Sequence, residues 1–328
     1  MVNLPSRRVL IALTLFVAAL ALVPLGGDKY WIKLVTRMMV LGIFAMSLDL
    51  LVGYTGLVSF GHAAFFGLAG YVLHLVSPAD EAVNLLWALP FCLVVTAVAA
   101  AAIGALCVRT KGIYFIMVTL AFAQMLFYFF HDSDLAGGSD GAFIYIKPVL
   151  ALGGATLLDL DGRATLYYVC LGSVVALYAA LVVMLRAPFG KVIQGIKVNE
   201  HRMCALGYNV YLYKWVSFVI AGTIAGYAGF LFASIDGFVS PELLGWQESG
   251  LGLVMVILGG MGTLFGPVLG AVALLGVEEL FRDADLVGVM AEHWQILMGA
   301  FVIAVVLFLA NGLGGLLLGV AGHRKGER

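Results

Sequence analysis

Asp49, His62, His74 and Gln124 lie within long apolar runs, where such groups can hydrogen-bond a polar solute, relay protons or satisfy freed backbone. An ion-coupled carrier depends on groups of this kind, and four make a thin set. A carboxylate at mid-span costs about 2.5–3.5 kcal/mol to insert, so Asp49 is expected to face the bundle interior or lie near the membrane surface. Three roles are open to it: polarising a path, bonding the backbone of a glycine-rich segment, or forming a helix-packing hydrogen bond. His62 stands beside Gly61, where glycine weakens helix, and is expected to cap exposed backbone or to hydrogen-bond a solute.

Covalent chemistry has no visible machinery. No H-E-x-x-H, G-x-S-x-G or Cys/His cluster occurs, so the chain does not read as an enzyme. Phe189-Gly190-Lys191 looks like the end of a phosphate-binding loop, but residue 185 is Leu where Gly is required and residue 192 is Val where Ser or Thr is required. ATP hydrolysis therefore belongs to partner subunits, if it is used at all, and no cofactor is expected in this chain. Cys92, Cys107, Cys170 and Cys204 lack metal-ligand spacing, so no metal site is expected. A net charge of −1 gives no reason to expect nucleic acid as a partner.

The elements that must position these residues are set by hydropathy. Of 328 residues, 63% are hydrophobic and 11% charged, against about 25% charged in soluble domains, so the chain belongs in a lipid bilayer. Apolar runs cover Val9–Leu25, Met38–Val52, Phe60–Val76, Leu85–Val108, Ile113–Phe130, Ala164–Leu185, Trp215–Ile235 and Trp294–Ala310. They are continuous and rich in Leu, Ala and Val, which predicts helices instead of barrel strands. The first follows Arg7 and Arg8 but has no A-x-A site after it, so it reads as a retained anchor.

Arg186, Lys191, Lys197, Arg202 and Lys214 gather between two apolar runs, and the positive-inside bias puts this loop in the cytoplasm. At about 100° per residue, Phe189, Val192, Ile193, Ile196, Met203 and Leu206 share one face, with Lys191, Gln194, Lys197 and His201 across from it. The spacing predicts one short amphipathic helix ended by Gly207 in a left-handed cap. Glu200 is expected on its apolar face, between Ile193 and Ile196, awaiting a cation from a partner. The other reading of this helix is an interfacial element lying on the bilayer surface.

With the N-terminus inside, the acidic loops Ser77–Asn84 and His131–Asp161 fall outside, and the basic C-terminal tail belongs inside. The segment Gly250–Leu280 must then enter the membrane and return. Gly259, Gly260, Gly262, Gly266 and Pro267 stand at its centre, which predicts two part-helices around a break. Broken helices at membrane depth are tolerated where buried in protein or lining a cavity, so the break is a candidate for a transport path. A second segment, with Gly53, Tyr54, Gly56, Ser59, Phe60, Gly61 and His62, echoes it: Gly53-x-x-Gly56 against Gly259-x-x-Gly262, and Phe60-Gly61 against Phe265-Gly266. Such a pair suggests an internal repeat around a central site. Gly138 and Asp140, in the turn-rich run Gly137–Gly141, are expected at the outer mouth.

The segments GYTGLVSFGHAAFFGLAGY, TKGIYFIMVTLAF with the later GGSDG, FGKVIQGIKVNEHRMCALGYNVYLYKWVSFVIAG and GGMGTLFGPVLGA resemble, in that order, the signature segments of the M-type permease of branched-chain amino-acid ABC importers. The likeness runs from about Met38 to Ala310. It implies a second homologous permease subunit, two cytoplasmic ATP-binding subunits and a periplasmic substrate-binding protein, in the bacterial inner membrane. It makes the amphipathic loop the coupling element, with Phe189, Lys191, Ile193, Ile196, Lys197, Glu200, Arg202 and Gly207 as candidate contacts. The E-A-A-x-x-x-G pattern of importer permeases would begin at His201, where this chain departs from it, although Glu200 stands one place earlier. The family pattern often has Asn where this chain has Asp49.

The expected fold is an all-α polytopic bundle of about 8–10 spans with broken or re-entrant helices. Residues 1–328 form a single permease domain, and residues 186–214 its cytoplasmic coupling loop. The expected function is ATP-driven import of branched-chain or related amino acids by alternating access. Rival readings are a permease for urea, short amides or other small solutes, an autonomous channel or ion-coupled carrier, and a membrane scaffold.

Overall fold

The computed structural model describes residues 7–78, 81–152, 155–282, 288, 293–308 and 312–317. Each of the eight apolar runs coincides with a helix: α1 (Arg7–Leu22), α2 (Lys29–Asp49), α3 (Ala63–Val76), α4 (Leu85–Cys107), α5 (Ile113–His131), α6 (Arg163–Arg186), α9 (Val210–Asp236) and α12 (Trp294–Phe308). Between α6 and α9 lie α7 (Pro188–Val198) and α8 (Glu200–Ala205). The half-length helices α10 (Trp246–Gly259) and α11 (Gly266–Arg282) precede α12, and α13 (Gly312–Leu317) follows it. Among the described residues, five helical stretches are long and apolar enough to cross a membrane, and Thr14–Gly26, Ala63–Val76 and Trp294–Val305 are shorter apolar helices. This is an all-α polytopic membrane bundle. The last residues of the Trp294–Ala310 run and the basic C-terminal tail lie outside the described residues.

Two helices begin earlier than hydropathy alone suggests. The run from Met38 extends back to Lys29, where Asp28 caps the helix by accepting the Tyr30 N–H at 3.0 Å. Its early cations are neutralised: Lys33 and Arg37 both reach Asp236, at 3.0 and 2.9 Å, at the far end of α9. At its other end α9 takes in Lys214, so this residue belongs to a helix and not to the basic loop. Asn209 caps that helix, accepting the Leu212 N–H at 3.2 Å.

The bundle has an inner and an outer set. In their most apolar windows α2 is 83% buried and α9 72%, whereas α4, α5 and α6 are each 22% buried, so α2 and α9 form the centre and the others turn broad apolar flanks outward. In the centre, α9 packs against α2, α3 and α4, while α11 packs against α2 and α10. The outward flanks are what lipid or another apolar subunit would cover.

The loop after α5 is more ordered than the run of turns expected for Gly137–Gly141. It contains β1 (Ala142–Phe143), paired antiparallel with β4 (Phe238–Val239) in the register Ala142↔Val239. β2 (Val149–Leu152) and β3 (Ala155–Asp159) follow as a hairpin. The first pairing ties the loop to the end of α9.

Candidate translocation and coupling site

Two helix breaks meet in the middle of the bundle. In the first, α2 continues into a π-helical turn, Leu50–Thr55, in which Gly56 donates its N–H to the Leu51 carbonyl and adopts φ +80°. The chain then runs irregularly to His62 before α3 begins. In the second, α10 and α11 are separated by residues 260–265, with Gly260 at φ +103°, Gly262 at φ +78° and Leu264 at φ +54°. A positive φ at Leu264 is costly for a residue with a Cβ and needs strong local support.

Asp49 supplies that support. Its Oδ1 accepts the Gly262 N–H at 2.7 Å and its Oδ2 accepts the Leu264 N–H at 3.3 Å, so one fully buried carboxyl group pins the second break. Of the roles open to Asp49, this is the bond to the backbone of the glycine segment. The same oxygens lie just ahead of the α11 N-terminus, where the helix dipole favours negative charge. Tyr54 adds a third tie, its hydroxyl donating to the Gly262 carbonyl at 2.7 Å. Contact is close enough that a Cβ on Gly53 would run into Asp49 Oδ1 and come within 2.6 Å of the Gly262 nitrogen. Thr263 closes the break from within, donating to the Gly260 carbonyl at 2.8 Å and accepting the Gly266 N–H at 3.1 Å. Pro267, in the first turn of α11, has no N–H to lose there. Gly259 and Gly266 pack backbone to backbone, without room for a Cβ.

The freed N–H groups ahead of α3 are satisfied by hydroxyls. Ser249 of α10 accepts the Ala63 N–H at 2.8 Å, Thr119 of α5 accepts the Phe60 N–H at 3.3 Å, and Ser59 accepts the Gly61 N–H at 3.3 Å. His62 does not act as the cap. Its Nε2 pairs at 2.9 Å with Ser47 Oγ, and its ring lies near Phe44 and Phe65. The Ser47 hydroxyl also lies 2.6 Å from the Phe44 carbonyl, so it stands between that carbonyl and the imidazole. Gly138 and Asp140 stand apart from this site, in the loop after α5. There Gly138 takes φ +56°, and the exposed Asp140 accepts a hydrogen bond from the Ser139 hydroxyl at 3.3 Å.

The single amphipathic helix expected over Phe189–Leu206 is two helices. Asn199 breaks it at φ −157° and caps α8 by accepting the Arg202 N–H at 2.9 Å. The expected face survives in α7, where Val192, Ile193 and Ile196 are buried and Phe189 stacks on Tyr213 at 5.6 Å, while Lys191 is exposed. In α8 Met203 keeps to this face and packs on the same cluster, whereas Leu206, just past the helix, is 65% exposed. Val198, which the periodicity does not mark, is 86% exposed. Gly207 ends α8 as expected at φ +87°: its N–H bonds the Cys204 carbonyl and that of Tyr208 bonds Met203, a Schellman closure.

Two charged residues of this loop are partnered differently from expectation. Glu200 needs no partner's cation, because Lys214 and Lys111 of this chain reach it at 2.8 and 2.9 Å. Burial pushes its carboxyl up, but the hydrogen bonds from the two lysines outweigh that and hold it below the usual carboxylate range. The bond to Glu200 correspondingly raises Lys111. Lys197 is exposed, as its place on the polar face predicts, but its ammonium reaches the Gly53 carbonyl at 2.5 Å, and its stem lies against Gly56. A cation at the C-terminal end of the π-turn suits the negative pole of that helix. Lys197 therefore joins α7 directly to the first break, which Asp49 and Tyr54 join to the second.

Ser47, Thr119, Ser249 and Leu264 carry no mark in the sequence. Each acts through a partner distant in the chain, and an isolated Ser or Thr in an apolar run leaves no periodic signal.

The chain is 28% identical, over 326 residues, to the high-affinity branched-chain amino acid transport system permease protein LivM of Salmonella typhimurium, covering 94% of this chain and 75% of that protein. It is also 28% identical over 332 residues to the corresponding LivM of Escherichia coli, with the same coverage. No solved structure matches. A family model described as the permease component of the branched-chain amino acid transport system matches residues 30–306, which takes in both breaks, the basic loop and the inner helices, and the chain belongs to that family.

Proposed function

We propose that this chain is the membrane-spanning half of an ATP-driven importer of branched-chain or related amino acids in a bacterial inner membrane. It works beside a second homologous permease, two cytoplasmic ATP-binding subunits and a periplasmic substrate-binding protein. Residues 187–209, with Lys214 of α9 tied to them through Glu200, form its coupling loop, and the breaks at Gly53–His62 and Gly259–Pro267 flank the translocation line. The observation that carries this reading is the bond from Lys197 to the Gly53 carbonyl. Through it a displacement of α7 pulls on the π-turn, and the π-turn holds Gly262 through Asp49 and Tyr54.

Val198 and Leu206 support docking, since both turn apolar surface outward from a cation-rich loop, as a surface awaiting a protein partner does. Phe189, Ile193 and Ile196 then serve by fixing α7 to the bundle. Burial of Asp49 with both its oxygens engaged supports a state closed at the breaks. Opening requires these two bonds to exchange partners.

Purification of a tagged copy from native membranes, followed by mass spectrometry, tests the reading. Recovery of two ATP-binding chains and a second permease supports it. Recovery of this chain alone, with solute transport in liposomes, would replace it by an autonomous carrier. Within a recovered complex, Glu200→Lys combined with Gly207→Pro is expected to stay in the membrane and abolish uptake, because proline cannot adopt φ +87°.

A further inference from the structure

A polar cavity and an apolar crevice lie end to end along the same three helices. The cavity, of about 750 Å³, sits at the start of α2 and is lined by six cations (Lys29, Lys33, Arg37, Lys147, Arg163 and Arg282) and two carboxylates, Glu278 and Glu279. The crevice, of about 480 Å³, continues between α1, α2, α6 and α11, where its walls include Val17, Val35, Leu171, Val175 and Val272. On α2 the two meet without a gap, since Arg37 lines the first and Val35 and Met38 line the second. On α6 the cavity reaches Leu166 and the crevice begins at Leu171, about 7.5 Å further along the helix at 1.5 Å per residue.

Among the described residues, most carboxylates around the cavity are already engaged, while Glu248 faces Arg37 and Glu278 from α10. Glu278 holds Arg282 at 2.7 Å, Glu279 accepts from the Tyr30 hydroxyl, and Asp236 holds both Lys33 and Arg37. Lys147 is loosely paired with Asp161 at 3.8 Å. Lys29 and Arg163 are exposed and have no ion pair among the described residues. Among the described residues the lining thus carries six cations against two carboxylates, so positive charge is in excess at the polar end of a cleft whose remaining length is hydrocarbon.

We infer that this continuous cleft seats a glycerophospholipid, with its phosphate at Lys29 and Arg163 and one acyl chain between α1, α2, α6 and α11. Charge complementarity selects this occupant. A free anion would leave the crevice empty, and an apolar helix from another subunit would leave the excess of cations without a counter-charge. A phospholipid satisfies both ends at once and is the solvent of this face of the bundle. The inference needs only the membrane placement of the chain, and does not depend on which solute is transported.

The test uses the full chain, purified with whatever subunits accompany it, in nanodiscs of phosphatidylethanolamine with a tenth of phosphatidylglycerol. Native mass spectrometry then reads the lipid retained after gentle activation. Wild type is expected to keep a phospholipid, and Lys29→Gln with Arg163→Gln to lower its retention on the order of tenfold. Val175→Trp, which keeps every charge and alters a residue 43% exposed, is expected to lower it likewise by filling the crevice. A benzophenone amino acid at position 175 is expected to crosslink to lipid. Equal retention in all three proteins would overturn the inference, as would a crosslink to a protein subunit. Loss of lipid in the charge variant with full retention in Val175→Trp would also overturn it, because the acyl chain would then lie elsewhere.

Discussion

Asp49 accepts the backbone N–H of Gly262 at 2.7 Å across 213 positions of sequence, so a single carboxyl group in one broken helix sets the geometry of the other. Replacement by Leu removes both acceptors and strands the N–H groups of Gly262 and Leu264 in the bundle. Each stranded group costs about 1–3 kcal/mol. Asp49→Leu is expected to lower the thermal midpoint of the purified protein by several degrees and to abolish uptake. Asp49→Asn keeps one acceptor and turns an amide donor toward the other N–H, so its stability and uptake should fall between those of Asp49→Leu and wild type. Differential scanning fluorimetry with parallel uptake decides this, and an Asn variant as damaged as the Leu variant would reject the single-acceptor account.

The Lys197 ammonium and the Gly53 carbonyl connect the basic loop to the membrane interior. A charge-assisted hydrogen bond of this type contributes about 1.5–3 kcal/mol. Lys197→Met preserves the stem that lies against Gly56 while removing the donor. Protein level in the membrane is expected to stay near normal, and uptake to fall by about tenfold or more, which corresponds to about 1.4 kcal/mol in the transporting equilibrium. ATP hydrolysis by the assembled complex should persist. Unchanged uptake would show that the bond carries no coupling.

Gly53 separates a close-approach requirement from helix propensity. Its Cβ would collide with Asp49 Oδ1 and the Gly262 backbone, and neither can retreat without breaking the bond between them. Gly53→Ala is expected to destabilise by about 1–3 kcal/mol, as overpacked interiors do. Gly172, within α6, has open space around a built Cβ and is the control. Gly172→Ala should be neutral or stabilise by roughly 0.5–1 kcal/mol. Matching thermal shifts in the two variants would show that helix propensity alone governs position 53.

Much of this architecture is legible because it rests on local rules. Hydropathy marks all eight runs, and the glycines around Gly259–Pro267 mark a break that the structure places at residues 260–265. The lengths of α2 and α9 are hidden because Lys33, Arg37 and Lys214 look unsuited to a span until Asp236 and Glu200 are seen beside them. The division of the amphipathic loop turns on Asn199, whose capping role outweighs the apolar period running through it. The direction of Lys197 is illegible for a related reason: helical periodicity assigns a face to Cβ, whereas a long side chain carries its charge back to a distant carbonyl.

The Glu200 triad gives the basic loop a pH dependence whose sign follows from its geometry. Lys111 and Lys214 hold the folded carboxyl below the usual range, so the stability it contributes to α8 is present above the ordinary glutamate pKa of about 4.3. That contribution is lost as pH falls through the depressed folded value. Because the carboxylate is partly exposed, its size should be about 1 kcal/mol or less. Hydrogen exchange at the Gly207 and Tyr208 N–H groups, which close α8 on the Cys204 and Met203 carbonyls, reports this locally. Glu200→Gln is expected to exchange faster than wild type at pH 7, and the difference to shrink as pH falls below the usual glutamate range. A difference that stays constant all the way down to the pH at which the fold itself is lost would mean that Glu200 orders α8 by packing and not by charge.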